Sequence, residues 1–143
     1  MAIYSIAQRG TTGTAAAPQW EVIAAAANKP KIMELGVSQN AATAGVYGFG
    51  RPAAIGITPT TPLTVLDESD GNGAAGVTKC AVAWATPPTA PTNFFRRVST
   101  PATVGAGVIW TFPRGLGLPA AGTVVVWNIG TNAVADFWAV VDE

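Results

Sequence analysis

Two stretches decide the fold: Val124-Val125-Val126-Trp127-Asn128-Ile129, and shortly after it Phe137-Trp138-Ala139-Val140-Val141. Both are rich in the β-branched and aromatic residues that suit a pleated, packed surface. In an extended chain successive side chains point to opposite faces, so each stretch is apolar on both sides and needs a cover on both. In a sandwich of two sheets one cover is the shared core. The other has to come from a loop or from another subunit.

Working outward, the rest of the chain has the same texture. Sixteen Gly, eleven Pro and many Thr punctuate short apolar segments, which predicts an all-β domain with turn chemistry between strands. About nine or ten strands are expected, near Ile3–Arg9, Gln19–Ala25, Lys31–Ser38, Gly45–Gly50, Leu63–Leu66, Thr78–Ala85, Phe94–Ser99, Val108–Phe112, Val124–Asn128 and Ala133–Val141. Met33, Leu35 and Val37 are expected on one face, and Cys80, Val82 and Trp84 alternate with Lys79, Ala81 and Ala83. Val108, Trp110 and Phe112 likewise alternate with Ile109 and Thr111. The alanine runs Ala15–Ala17 and Ala24–Ala27 are too short for helices and are bounded by Pro18 and Pro30. One domain over residues 1–143 is expected, a two-sheet β-sandwich with a jelly roll as the best architecture.

The surface chemistry implied is unusual. The chain has 143 residues with 8 Lys+Arg and 8 Asp+Glu, 11% charged and net zero. At the usual 25% it would carry about 36 charges. A folded monomer of this size exposes roughly 6,900 Å², or about 430 Å² per charge, and a neutral, charge-poor surface favours association. Part of the surface is therefore expected to be covered.

Several kinds of function are excluded or disfavoured. With no His, Ser-His-Asp and Cys-His catalysis and His-ligated zinc are out. Cys80 is the single cysteine, so an internal disulfide is impossible. Zero net charge gives no footprint for nucleic acid or an anionic membrane, and no run of 18 apolar residues spans a bilayer. The opening Met1–Arg9 lacks a basic segment followed by an apolar one, so synthesis in the cytoplasm is expected without a secretory leader.

The pattern matches with a chemical meaning are weak. Gly71-Asn72-Gly73-Ala74-Ala75-Gly76 has glycine spacing found in phosphate loops, but Glu68 and Asp70 stand just before it and no helix follows. Glu68, Asp70 and Asn72 with Gly73 imitate the start of a calcium loop, but the position for the closing Glu holds Lys79. Of the acids, Glu34 and Asp136 lie inside apolar strands and are read as outward-facing or partner-paired. No catalytic residue, cofactor site or metal site is assigned. The residues expected at an oligomer or capsid interface are Val125, Trp127 and Ile129 from one stretch, Phe137 and Trp138 from the other, and the basic pair Arg96 and Arg97.

Short strings along the whole chain carry a resemblance: Met1-Ala2-Ile3-Tyr4-Ser5-Ile6-Ala7-Gln8-Arg9, Val46-Tyr47-Gly48-Phe49-Gly50-Arg51-Pro52, Asn93-Phe94-Phe95-Arg96-Arg97, Gly107-Val108-Ile109-Trp110-Thr111-Phe112-Pro113-Arg114-Gly115, Trp127-Asn128 and the closing Val140-Val141-Asp142-Glu143. In these the chain resembles the small β-sandwich virion proteins of tailed bacteriophages, especially head decoration (cement) proteins. The resemblance implies a jelly-roll subunit, often trimeric, on the outer surface of the capsid, bridging subunits of the major capsid protein, with no direct contact to nucleic acid or membrane. It transfers no site residues. Two alternatives stay open: a tail or fibre-tip sandwich that binds host glycans through exposed aromatics, and a tumour-necrosis-factor-like trimeric ligand domain with an aromatic sheet about a threefold axis.

Overall fold

A computed structural model describes residues 2–10, 17–60, 62–68, 76–130 and 134–143. Most of the phosphate-loop and calcium-like pattern, including Asp70, Asn72 and Gly73, lies outside these residues, as do Ala15 and Ala16. In chain order the strands are β1 Ile3–Arg9, β2 Pro18–Ile23, β3 Lys31–Gln39, β4 Gly45–Gly50, β5 Ile57–Pro59, β6 Leu63–Thr64 and β7 Leu66–Asp67. They continue with β8 Lys79–Ala81, β9 Trp84–Thr86, β10 Arg96–Thr100, β11 Gly107–Gly117, β12 Thr123–Asn128 and β13 Ala135–Asp142.

Eight of these strands make a jelly roll. β1 to β4 pair in reverse order with β13 to β10, as β1·β13, β2·β12, β3·β11 and β4·β10, every pair antiparallel. This long double ribbon rolls up when β13 also pairs with β3 and β12 with β4. The result is a five-stranded sheet in the order β11-β3-β13-β1-β7 packed on a six-stranded sheet in the order β10-β4-β12-β2-β8-β6. Between β4 and β10, the described stretches 51–60, 62–68 and 76–95 supply further strands to the far side. There β7 extends the β1 edge while β8 and β6 extend the β2 edge, so those edges are capped by the chain's own strands.

Alternation builds the core. Tyr4 and Ile6 of β1, Trp20 and Val22 of β2, and Phe137, Ala139 and Val141 of β13 all point between the sheets. At the centre Phe137 stacks on Trp20 with ring centroids 6.0 Å apart and meets Tyr47 edge-on at 6.4 Å. Phe49 meets Trp110 at 4.8 Å, which ties β4 to β11 across the layers. Aromatic pairs in these geometries add about 0.5–1.5 kcal/mol beyond the area they bury.

Three strand readings change. The expected strand Leu63–Leu66 is two strands in different sheets, β6 paired with β8 and β7 with β1, because the chain crosses from one sheet to the other at Val65. Met33 does not share a face with Leu35 and Val37. Val140 is opposite Glu34 but Val141 is opposite Ile32, so Met33 is the extra residue of a bulge, and Ile32 enters the core instead. The expected strand Thr78–Ala85 is two strands. Cys80, Ala81 and Val82 are all buried, the chain leaves the six-stranded sheet at Val82, and Trp84 continues in β9, paired with β5 in a separate small sheet.

Candidate interface on the outer face of the five-stranded sheet

The two outer faces are finished differently, and the local sequence shows how. On β4 aromatics alternate with glycine, so Tyr47 and Phe49 enter the core while Gly48 and Gly50 leave the outer face bare. Pro91, Phe94 and Phe95 occupy that space. Phe94 meets Trp127 edge-on with centroids 5.6 Å apart, and a Cβ on Gly48 would come within 2.9 Å of the Phe94 ring. Ile129 reaches the same spot, 3.2 Å from that Cβ position. From β9, Trp84 donates its indole N–H to the Glu21 carboxylate. Burial pushes the Glu21 carboxyl up, with the Trp84 and Thr123 donors opposing the shift.

Val125 and Trp127 are therefore 0% exposed: the chain's own loop is their second cover, and they offer no surface to a partner. Phe137 is likewise 0% exposed, in the central core. Of the residues expected at an interface, Trp138 alone lies on the other outer face. Arg96 and Arg97 are exposed on β10, at the edge of the opposite sheet. The seven do not form one patch.

Among the described residues nothing covers the outer face of the five-stranded sheet. Register places Ile109, Gly36, Trp138 and Ala7 side by side across four strands. The next row holds Thr111, Glu34, Val140, Ser5 and Leu66. Ile109 is 56% exposed and Leu66 69%. Gly36 makes the seat for Trp138, because a Cβ there would fall 1.9 Å from the indole. Trp138 Nε1 donates to Glu34 Oε1 at 2.8 Å, which fixes the ring over the glycine. At one corner Arg9 makes a two-pronged bond to Asp136, at 2.7 and 3.0 Å. The two acids inside apolar strands thus both have partners on this face. Ile109, Leu66 and Ala7 were missed as surface residues, although the alternation of Val108-Ile109-Trp110 already turns Ile109 outward.

Reactive chemistry is suppressed where it could arise. Cys80 and Trp20 both donate to Gln8 Oε1, at 3.3 and 3.2 Å, and burial pushes the Cys80 thiol up to about 12. At neutral pH it is not a thiolate. Among the described residues no group of three or more His, Cys, Asp or Glu stands close enough to hold a metal ion, and no helix is long and apolar enough to cross a membrane. Compared with protein-family models, with curated proteins and with solved structures, the chain matches none.

Proposed function

We propose that this chain is a structural subunit of a tailed-bacteriophage virion, a head decoration protein that binds the outside of the major-capsid-protein shell as a homotrimer and stabilises it. The observation that carries this reading is the apolar face of the five-stranded sheet, where among the described residues nothing covers exposed Ile109 and Leu66 or half-buried Trp138 and Val140, while the equivalent face of the other sheet is roofed. The four spacings of about 4.8 Å between five strands and seven residues at about 3.4 Å give a face of roughly 450 Å². That is about half of what one partner contributes to a standard interface. One copy would bind weakly, and several copies held together would multiply the effect through effective concentration. A small, neutral subunit that acts only in a group suits a shell cement. The sparse charge also lets many copies crowd one particle without repulsion.

Shells assembled from the major capsid protein of the encoding phage provide the test. The wild-type chain is expected to co-sediment with them, and Trp138→Glu, which places a charge in the middle of the face, to stay in the supernatant while remaining folded by circular dichroism. Failure of the wild-type chain to bind shells, with retention on host glycans, overturns the reading in favour of a tail or fibre-tip role.

A further inference from the structure

Where β10 and β11 end their sheets, an aromatic cluster carries arginines on its rim. Phe49 packs edge-on against Phe95 and Phe112, with ring centroids 5.8 and 5.7 Å apart. Each of these two rings seats a cation. The Arg51 guanidinium lies 5.9 Å from the Phe95 centroid, and the Arg96 guanidinium lies 5.1 Å from the Phe112 centroid. A third arginine comes from β11, where the register jumps from Thr111 to Leu116 and the bulge between them carries Arg114. Arg96, Phe112, Pro113 and Arg114 line an open cleft of about 400 Å³. Arg51 reaches the same strand just beyond the bulge, its Nη2 donating to the Gly117 carbonyl at 3.0 Å.

All three arginines are exposed, and among the described residues none has a carboxylate within ion-pair distance. Lys31 stands apart from the set, because Asp142 is its register partner on β13. The chain's own acids make a poor occupant for the cleft of a second copy. Asp136 holds Arg9, Glu34 accepts from Trp138, Glu21 accepts from Trp84, and Glu143 accepts from Val77 and Thr78. A cation over a ring face is held by the ring quadrupole without using its N–H groups, so Arg51 and Arg96 are seated by packing with donors left to give. Side chains placed in advance lose less freedom when a ligand arrives.

We propose that Arg51, Arg96 and Arg114 form a docking site for a segment of a partner protein that carries several Asp or Glu side chains. Arginine matches a carboxylate with two parallel N–H···O bonds, and the cleft offers three such forks around one bulge. A sugar or a nucleobase is the poorer fit, because each needs an aromatic face to stack on and the Phe95 and Phe112 rings already carry guanidiniums. A phosphate backbone follows a stripe of cations, whereas these three are gathered at one place on a chain of zero net charge. The site lies on the β10–β11 edge, apart from Trp138, and does not rest on the decoration reading.

NMR titration of the nitrogen-15-labelled full chain with an acetylated hexaglutamate peptide, at about 20 mM salt, tests it. The Nε–H signals of Arg96 and Arg114 are expected to shift and saturate, and the affinity to fall as salt is raised to about 0.5 M. Arg114→Glu changes an exposed side chain and is expected to weaken binding about tenfold, the worth of one charge-assisted bond, with unchanged circular dichroism and melting. Arg96→Lys keeps the charge but loses the planar fork, and is expected to weaken binding several-fold. Lys79→Glu makes the same charge change on distant β8 and should bind as wild type. The proposal is overturned if the arginine signals do not saturate, if Arg114→Glu binds like wild type, or if Lys79→Glu is equally weakened. Wild-type affinity in Arg96→Lys overturns it as well, since charge alone would then suffice. So does tighter binding of a thymidine oligonucleotide of similar charge, which would mark a nucleic-acid site. Trp138→Glu is expected to keep the peptide affinity whatever it does to shell binding, so failure of this site and failure of the decoration role read out differently.

Discussion

At Glu21 a carboxylate is enclosed between β12 and β8, with Val125 and Ala81 as register partners and the Trp84 indole as donor. Its raised pKa has a defined consequence for stability. Below the ordinary glutamate value, about 4.3, folded and unfolded chains both carry the proton and the fold has its full stability. As pH rises, the unfolded chain ionises first and stability falls until pH passes the folded pKa. Glu21→Gln keeps an oxygen to accept from Trp84 and removes that slope. Melting curves from pH 4 to pH 8 are expected to show the variant gaining on wild type as pH increases; parallel curves would show that Glu21 ionises as easily folded as unfolded.

Among the elements, the β11 bulge does the most with the fewest residues. It re-aims Arg114 and breaks the ladder of an edge strand, and it depends on Gly115. That residue has φ of +70°, and a Cβ would meet the Lys31 side chain at 2.7 Å. Left-handed geometry costs an L-residue about 1–2 kcal/mol, so Gly115→Ala is expected to destabilise the chain by about that much in urea titrations. Gly117→Ala, with open space around its Cβ position, is expected to cost much less. The Pro113-Arg114-Gly115 turn is legible in the sequence. That it lies within a strand and gathers Arg51, Arg96 and Lys31 is not, because those residues come from three other segments.

For the whole molecule, the segment 51–95 converts a two-layer sandwich into one with a third, partial layer. Phe94 is its anchor on Trp127. Phe94→Ala removes a half-buried ring, so the loss should sit below the 3–5 kcal/mol of a fully buried one, at about 2–3 kcal/mol. Acrylamide quenching is expected to reach Trp127 in the variant and not in the wild-type chain. Quenching at wild-type levels would show that Ile129 and the rest of the roof suffice. The roof also explains why the charge deficit misled about Val125 and Trp127. Half of the missing cover is internal, and the half that remains open is on the other sheet, around Trp138 and Ile109.

The sequence by itself determined the long strands, the turns between them and most of their core-facing residues, because a period of two is a local property of the pleat; the short strands of 57–86 were not legible, since their pairing alone defines them. It also showed that both faces of the two late strands are apolar, and for β12 the structure has both faces covered. Only the tertiary structure decided which cover is supplied by the chain, that Met33 falls in a bulge, and that Arg51, Arg96, Arg114 and Lys31, from four segments, gather around the β11 bulge. Those outcomes depend on strand order and register between residues far apart in the chain, and neither composition nor alternation carries that information.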